Sequence, residues 1–167
     1  MENKQIITLS AKNSIVIDVP MPEMSDDQVL IRNTFVGVCM SEHYAWSTAE
    51  KTKGFGHEPV GVIAAVGKNV TDWKVGDRVG GLWGNPLPGG GGMVRYTVAD
   101  PKKNCLIHLP NGIRDEDLLI EPLSCLISAV SKARCSIPGT EVCVVGAGYM
   151  AAVPFPCSSC AAASLPP

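Results

Sequence analysis

The sequence predicts a mainly β, α+β protein, in which a partly closed β-barrel with one helix precedes the first strand of a second fold. Two observations support this prediction. Residues 5–99 contain short β-rich runs separated by Gly, Pro and Asp turns, which is typical of a barrel built from short strands. From Asp115 onward, the apolar residues recur at helical spacing instead. A hydrophobic content of 46% in 167 residues is enough for one packed core.

Six strands are predicted in the first part of the chain. They occupy residues 5–9, 14–19, 28–38, 60–66 and 93–99, with a further strand entered through the turn at residues 70–78. In the third of these, β-strand alternation is clear. Val29, Ile31 and Phe35 are therefore expected on one face, and Arg32 and Thr34 on the other.

One helix is predicted after Asp115. Pro122 cannot stand in a helix interior but suits a first turn. The apolar residues that follow recur at helical spacing, namely Leu123, Leu126, Ile127 and Val130. Ile-Pro-Gly at residues 137–139 ends the helix, and residues 141–145 begin a new strand.

Composition excludes several classes of protein. The net charge of −2 and the absence of a basic block argue against a nucleic-acid or anionic membrane partner. No apolar run approaches the roughly 20 residues that span a bilayer, and the first residues lack the features of a signal peptide, so a cytoplasmic location is expected. The seven scattered cysteines indicate reduced thiols rather than a disulfide framework.

Three residue types suited to a metal lie close together in the sequence. Cys39 is followed eighteen residues later by His57, and Glu58 comes directly after it. A thiolate, an imidazole and a carboxylate are the ligands that zinc takes where one position stays open for chemistry. Gly54 and Gly56 give the backbone the freedom to turn the imidazole inward. A lone cysteine or histidine would more often be a packing residue.

Two further signals follow in the sequence: one carboxylate, Glu121, and one pair of glycines, Gly146 and Gly148. Glu121 stands in the sequence Glu-Pro-Leu at the start of the predicted helix. Each acid also has a plainer interpretation: Glu58 could accept a hydrogen bond from a backbone amide, and Glu121 could be a solvated acid favoured by the helix dipole. Gly146 and Gly148 lie in a G-x-G-x-x-A sequence directly after a strand, the pattern of a dinucleotide-binding turn.

Together these motifs resemble the medium-chain dehydrogenase/reductase superfamily, specifically the zinc-dependent alcohol, polyol and threonine dehydrogenases with a GroES-like catalytic domain. The matching stretches are GVCMSEH (37–43), GFGHEPVGVIAAVG (54–67), VGDRV (75–79), EPLSC (121–125) and PGTEVCVVGAG (138–148). The resemblance implies that Cys39 and His57 are the first two zinc ligands, that Glu58 coordinates or swings onto the metal, and that Glu121 occupies the place of a further ligand in the polyol and threonine branch.

The resemblance also implies a mechanism. Zinc would act as a Lewis acid on an alcohol or polyol, hydride would pass to NAD or NADP bound near Gly146 and Gly148, and Ser41 would relay the proton. The alternative for Ser41 is a serine at a strand end that bonds to the backbone. The chain departs from the family at Met40, usually Gly, and at Glu42, usually Asp. The usual histidine is replaced by Tyr44.

The predicted domains are residues 1–137 for the GroES-like catalytic domain, 138–151 for the first strand and glycine turn of a truncated dinucleotide-binding domain, and 152–167 for a tail that does not resemble the family. Pro154 and Pro156 are expected to interrupt the helix after the turn. Hence the strand at 141–145 is expected to lack a parallel neighbour, and this chain is expected to be an inactive fragment. The CxxC at 157–160 is expected to be incidental.

Two alternatives to a dehydrogenase remain. The first is a catalytically silent fragment that only binds zinc or dimerises. The second is a zinc-free relative of the quinone reductases, which the set of Cys39, His57, Glu58 and Glu121 argues against. For the full-length relative, the resemblance implies a homo-oligomer that acts on a small-molecule alcohol or polyol. Between Val79 and Glu121 only Cys105 is a cysteine, so the structural-zinc lobe of many relatives is expected to be missing.

Overall fold

The computed structural model describes residues 2–50, 53–83, 92–132, 143–146, 148, 150 and 161–163. Its contacts divide the chain into two compact units, Met1–Ile120 and Glu121–Pro167. Several predictions lie outside the described residues, among them the helix end at 137–139, the helix interruption by Pro154 and Pro156, and the CxxC at 157–160. Within the described part, neither helix has the length and apolar character needed to cross a bilayer.

The first unit contains two antiparallel sheets, which confirms the prediction of a mainly β fold. One sheet has the order β2-β1-β4, and the other has the order β7-β3-β5-β6-β8. The strands are β1 (Asn3–Ser10), β2 (Asn13–Val19), β3 (Val29–Gly37), β4 (Lys53–Gly54), β5 (Glu58–Val66), β6 (Arg78–Leu82), β7 (Tyr96–Ala99) and β8 (Cys105–His108). An isolated bridge pairs Gln5 of β1 with Val94, two residues before β7, and the two sheets do not close into a continuous barrel within the described residues.

The core lies on both faces of β3. Val29 and Ile31 are buried with Ile63 of β5 and Val79 of β6 on one face. On the other face Leu30 packs in a cluster of buried residues with Tyr96 and Val98. A strand buried on both sides needs a run of apolar residues rather than alternation, and the sequence Val-Leu-Ile at the start of β3 supplies it.

Phe35 was expected on one face of β3 with Val29 and Ile31, but it does not share their burial. Its side chain is 37% exposed, although its residue number has the same parity as that of the buried Val29. The pairing of β3 with β5 shifts register between Leu30 and Ile31 and again between Asn33 and Phe35. A bulge inserts one residue and so exchanges the faces of every residue beyond it.

A short helix, α1 (Met40–Thr48), follows β3 and was not predicted. It carries no apolar stripe: Met40 and Tyr44, one helical turn apart, are 75% and 69% exposed. Its start is fixed by a cap instead, since a carboxylate oxygen of Glu42 accepts the Cys39 N–H at 2.9 Å. Ser41 therefore lies in the first turn of a helix, and the alternative of a serine at a strand end is wrong.

The second unit contains most of the predicted helix and one strand pair. The helix α2 (Ile120–Lys132) has Pro122 in its first turn, as predicted. The strand β9 (Cys143–Val145) pairs in parallel with β10 (Ala161–Ala163). The expectation that β9 lacks a parallel neighbour is wrong, because the segment between these strands has the dozen or more residues that a parallel crossover requires.

An ion pair holds the segment before α2 against the five-stranded sheet. The guanidinium of Arg78 in β6 donates hydrogen bonds to the carboxylate of Asp115 and to the Pro110 carbonyl. The Thr34 hydroxyl of β3 donates to the other oxygen of Asp115 at 2.5 Å. Burial alone would raise the pKa of Asp115, but the hydrogen bonds from Thr34 and Arg78 together outweigh burial and lower it.

This arrangement predicts a pH-dependent loss of stability. Because the folded pKa of Asp115 lies below its ordinary 3.8, its stabilisation is complete above pH 3.8 and is lost as the pH falls through the lower folded pKa. We expect Asp115→Asn to cost about 1–2 kcal/mol in free energy of unfolding at pH 7, because the charged hydrogen bonds are lost. The cost should shrink as the pH falls below 3.8.

Urea unfolding at pH values from 7 down to about 2.5 measures this difference. Glu23→Gln is the control, since Glu23 is an exposed carboxylate. A difference between Asp115→Asn and the unaltered chain that stays constant over the whole range would contradict the assignment.

Candidate metal centre

The pairing of β3 with β5 brings the candidate metal ligands together. In this register Gly37, the last residue of β3, lies opposite Glu58, the first residue of β5. Cys39 follows β3 by two residues and His57 immediately precedes β5. Two segments 18 residues apart in the chain therefore meet at one end of the sheet.

Cys39, His57 and Glu58 form one cluster. Each residue offers one ligand atom, and these atoms all lie within 4.8 Å of one another. Glu58 is buried, whereas Cys39 and His57 are half-buried. The sequence prediction named all three, and the structure brings them to one place. Ligand atoms of a thiol, an imidazole and a carboxylate that lie this close to one another can bind the same metal ion.

Gly37 makes room for the Glu58 carboxylate. A Cβ atom at Gly37 would lie 2.1 Å from Glu58 Oε2 and 2.9 Å from a methyl group of Leu119. Any larger residue would therefore push the carboxylate away from Cys39 and His57. The lack of a side chain at Gly37 therefore lets the Glu58 carboxylate occupy its present position, because real Cβ atoms do not come this close to another heavy atom.

The thiol of Cys39 is placed where its ionised form is stabilised. Cys39 is the N-cap of α1, and its carbonyl accepts the N–H of Glu42 at 3.1 Å. Hydrogen bonds from the Ser41 hydroxyl and then from the Ser41 backbone N–H are the largest causes that lower the pKa of this thiol. Burial opposes them, and a weaker interaction with His57 lowers the pKa further. A thiolate at a helix N-terminus is also favoured by the helix dipole.

Glu42 orients the imidazole of His57. Its Oε1 lies 3.1 Å from His57 Nδ1, while its Oε2 accepts the Cys39 N–H. Glu42 is buried, so this contact is shielded from water. With Nδ1 engaged, Nε2 is left to act as the ligand atom, and it lies 3.9 Å from Glu58 Oε1. Carboxylate partners of this kind fix the tautomer and orientation of metal-binding histidines.

The sequence prediction did not give Glu42 a role. The signal was present as a capping box, in which a Glu stands three residues after the N-cap. With Cys39 as the N-cap instead of the usual Ser or Thr, the pattern reads Cys-Met-Ser-Glu. The same carboxylate therefore caps the helix that carries one ligand and holds the ring of a second.

Gly56 turns the chain so that His57 faces Cys39. Its φ is +100°, a conformation that L side chains rarely adopt, and a Cβ there would lie 2.6 Å from the backbone nitrogen of Met93. The Gly56 carbonyl accepts the Gly92 N–H at 2.6 Å, and the Phe55 carbonyl accepts the Met93 N–H at 2.8 Å. Two backbone hydrogen bonds thus hold the segment before His57 to residues 92–93. The positive φ at position 56 explains the predicted need for a glycine there.

A cavity of about 260 Å³ opens beside His57, which lines it together with Glu42. Small residues make up much of its wall, including Ser41 and Ala45 from α1 and Gly54 and Gly56 from the segment before His57. Because these side chains are short, the space next to the imidazole is open to a small molecule. The Ser41 hydroxyl, which bonds to the Cys39 thiol, lies on this wall.

The remaining predicted site residues lie in the second unit. Glu121 is in the first turn of α2, where its carboxylate accepts a hydrogen bond from the Cys125 thiol at 3.0 Å. Gly146 follows β9 directly with φ of +106°, and both Gly146 and Gly148 are exposed. The roles of Glu121 as a ligand, of Gly146 and Gly148 as nucleotide-binding residues, and of Ser41 as a relay stay predictions.

The residues present fit a zinc ion. One thiol with a lowered pKa, one imidazole held through its Nδ1 and one buried carboxylate form a mixed sulfur, nitrogen and oxygen donor set. Zinc accepts all three atom types, whereas Ca²⁺ and Mg²⁺ prefer oxygen ligands alone. Three donors from one compact region leave room for a fourth ligand.

Comparison with known proteins places the chain in a family. Residues 25–111 match the alcohol dehydrogenase GroES-like domain. The chain belongs to this family. The matched residues include the three residues of the cluster together with Gly37, Glu42 and Gly56, so the candidate metal centre lies inside the matched domain.

Named relatives and solved structures agree with this placement. The chain is 28% identical to a sorbitol dehydrogenase of Bombyx mori over 88% of its own length and 50% of the relative's. It is 33% identical to a probable D-xylulose reductase A of Aspergillus fumigatus over 78% of its length and 45% of the relative's. It also resembles the structure of galactitol-1-phosphate dehydrogenase from Escherichia coli, with a TM-score of 0.72 and 25% identity over 89% of this chain and 50% of that one. The chain thus spans about half the length of these relatives.

The contact between Glu42 and His57 gives a testable prediction. We expect Glu42→Gln to lower zinc affinity about 10- to 100-fold, since an amide at this position cannot stabilise the imidazole as a carboxylate does. Competition with a chromophoric chelator measures the affinity. Glu50→Gln removes an equal charge from an exposed position and should leave the affinity unchanged. Equal affinities in the two variants would show that Glu42 only caps the helix.

Proposed function

We propose that this chain carries the zinc-binding catalytic domain of an alcohol or polyol dehydrogenase linked to NAD or NADP. The observation that carries the proposal is the cluster of Cys39, His57 and Glu58 beside an open cavity. Membership of the alcohol dehydrogenase GroES-like family supports it, as do the sugar alcohol sorbitol and the ketose D-xylulose in the names of two relatives.

Cys39, His57 and Glu58 would hold the metal, and Glu121 is proposed as a further donor from α2. A zinc ion bound there would supply a Lewis acid that lowers the pKa of an alcohol. The lowered pKa of Cys39 favours the thiolate that metal binding requires, so less free energy is spent on deprotonating the ligand. Glu42 would orient the imidazole of His57, the second ligand, through its contact with Nδ1.

Ser41 is proposed to accept the proton of the alcohol. Its hydroxyl is exposed on the wall of the cavity and lies within hydrogen-bond distance of the Cys39 thiol. A hydroxyl can accept one proton while it donates its own, so it can pass a proton from the cavity toward solvent. Its place in the first turn of α1 fixes its distance from Cys39.

The hydride acceptor is proposed to be NAD or NADP, with its pyrophosphate near Gly146 and Gly148. The positive φ of Gly146, and the open space that a Cβ at either glycine would meet among the described residues, support close approach of a phosphate to the backbone. The substrate is proposed to be a small alcohol or polyol. The protein is proposed to be cytoplasmic and, in its full-length form, a homo-oligomer, without a nucleic-acid or membrane partner.

The main alternative function is zinc binding without catalysis. A protein that only binds zinc would need neither an open cavity beside the metal nor an exposed hydroxyl next to the thiol. The cavity lined by Ser41 and Gly56 therefore favours the catalytic proposal. A zinc-free relative of the quinone reductases would have no use for a thiol, an imidazole and a carboxylate within 4.8 Å of one another.

Cobalt substitution tests the proposal and separates it from the main alternative. We expect the chain to bind about one Co²⁺, with a thiolate-to-metal charge-transfer band that is lost in Cys39→Ser. Sorbitol, xylitol or a secondary alcohol should then perturb the visible absorption bands in a saturable way, because the alcohol enters the cavity and reaches the metal. Cys105→Ser is the matched control and should retain both responses, since Cys105 is an exposed thiol of β8.

The outcomes are distinct. A charge-transfer band that no alcohol perturbs would favour the silent zinc-binding alternative over the catalytic proposal. A band that persists in Cys39→Ser would refute the assignment of the ligand.

A further inference from the structure

The outer edge of β2 is the surface on which this inference rests. β2 (Asn13–Val19) is the end strand in the order β2-β1-β4, and it pairs with β1 from Asn3 opposite Val19 to Ser10 opposite Asn13. Within the described residues no strand pairs with its other side. Alternate residues of β2 therefore direct their backbone N–H and C=O groups away from the sheet, where a further strand could bond to them.

This edge lacks the usual protection against pairing. Natural edge strands carry lysines, prolines or bulges that prevent the addition of another strand. The sequence of β2 is NSIVIDV, with Asp18 as its one charge and no proline. Ile15 is 40% exposed and Val16 is 63% exposed. Apolar, β-branched residues on an open edge favour pairing with another strand.

The hairpin that presents the edge is also held in place. The N–H of Lys12 in the turn donates a hydrogen bond to the Trp46 carbonyl of α1 at 2.9 Å. At the same end of the hairpin, the hydroxyls of Thr8 and Ser14 are 2.8 Å apart and hydrogen-bonded. A fixed edge loses little conformational entropy when a partner strand docks, and this favours association.

We propose that β2 pairs antiparallel with β2 of a second copy of this chain, about a two-fold axis at Ile15. In an antiparallel pair, two residues directly opposite each other either both direct their backbone N–H and C=O groups toward the partner strand or both direct them away from it. A two-fold axis that relates two such strands must therefore pass midway between the two copies of one residue. That residue then lies opposite itself in the other copy. Because the interface is isologous, each contact off the axis occurs twice.

Charge complementarity selects the register. With the axis at Ile15, Lys12 of each copy lies opposite Asp18 of the other, and Ser14 lies opposite Val16. An axis one residue later, at Val16, would place Lys12 opposite Pro20, which has no N–H to donate. An axis at Ser14 would place Lys12 opposite Val16. Of these three registers, the Ile15 register alone pairs opposite charges, and it does so at both ends.

The charges at the two ends are available for this contact. Lys12 makes no ion pair within the described residues and is exposed. Its φ of 59° places it in the turn directly before β2, within reach of the end of a partner strand. Asp18 lies 3.5 Å from Lys4 of its own chain and is 80% exposed at its side chain, which leaves its carboxylate open to a second cation. Exposed ion pairs add little affinity, so they act mainly to fix the register.

Cross-linking at the proposed axis tests the pairing directly. In the 167-residue chain, with zinc present to protect Cys39, Ile15→Cys should form an intermolecular disulfide between the two thiols at position 15, because opposite Cα atoms lie about 4.5–5.5 Å apart. Ile17→Cys is the matched control. Position 17 lies opposite Asn13 in this register, so its thiols should not join. Peptide mapping without reductant distinguishes this bond from any formed by the native cysteines.

Charge reversal gives an independent measurement that involves no cysteine. Sedimentation velocity over a range of protein concentrations should show a reversible dimer. Lys12→Asp and Asp18→Lys should each weaken it about tenfold, because like charges then face each other at both ends. The double variant restores opposite charges and should recover the dimer.

Three results would overturn the proposal. They are a monomer at every concentration, a dimer that neither single charge reversal weakens, and cross-linking at position 17 as efficient as at position 15. Zinc content, measured in the same samples, should not change, since β2 contributes no proposed ligand. Failure of the dimer and failure of the metal centre are therefore distinguishable.

Discussion

The pairing of β3 with β5 is the constraint on which the candidate site depends. With Gly37 opposite Glu58, the ends of two adjacent strands deliver a thiol, an imidazole and a carboxylate to one point. The buried cluster around Ile31 and Ile63 holds this register, because a slip by one residue would turn the apolar side chains out of the core. The packing of the sheet therefore supports the site, together with the backbone hydrogen bonds that hold the segment before His57.

Glu42 couples the site to local structure in a second way. Its two carboxylate oxygens serve different elements, one fixing the start of α1 at Cys39 and the other fixing the ring of His57. The family usually has the shorter Asp at this position, and the longer side chain of this chain still makes both contacts. A helix without an apolar stripe is thus anchored by the same residue that prepares the metal ligands.

Much of this could be predicted from the sequence, for identifiable reasons. The core strands were predicted because they are β-rich runs bounded by turns, and Cys39, His57 and Glu58 because their residue types and spacing suit zinc. The helix α1 was not predicted, because its exposed Met40 and Tyr44 leave it without a periodic pattern of buried apolar residues. The exposure of Phe35 and the parallel pairing of β9 with β10 depend on bulges and long-range contacts, which periodicity does not encode. Membership of the alcohol dehydrogenase GroES-like family was predicted from five short motifs and is confirmed.

The central claim is that Cys39, His57 and Glu58 bind one metal ion together. X-ray absorption at the zinc edge of the loaded protein tests it most directly. The account predicts one sulfur ligand at about 2.3 Å and the remaining nitrogen and oxygen ligands at about 2.0–2.2 Å. In Cys39→Ser the sulfur contribution should vanish. A shell with no sulfur, or with two or more sulfur atoms, would contradict the claim, because this cluster contains a single thiol.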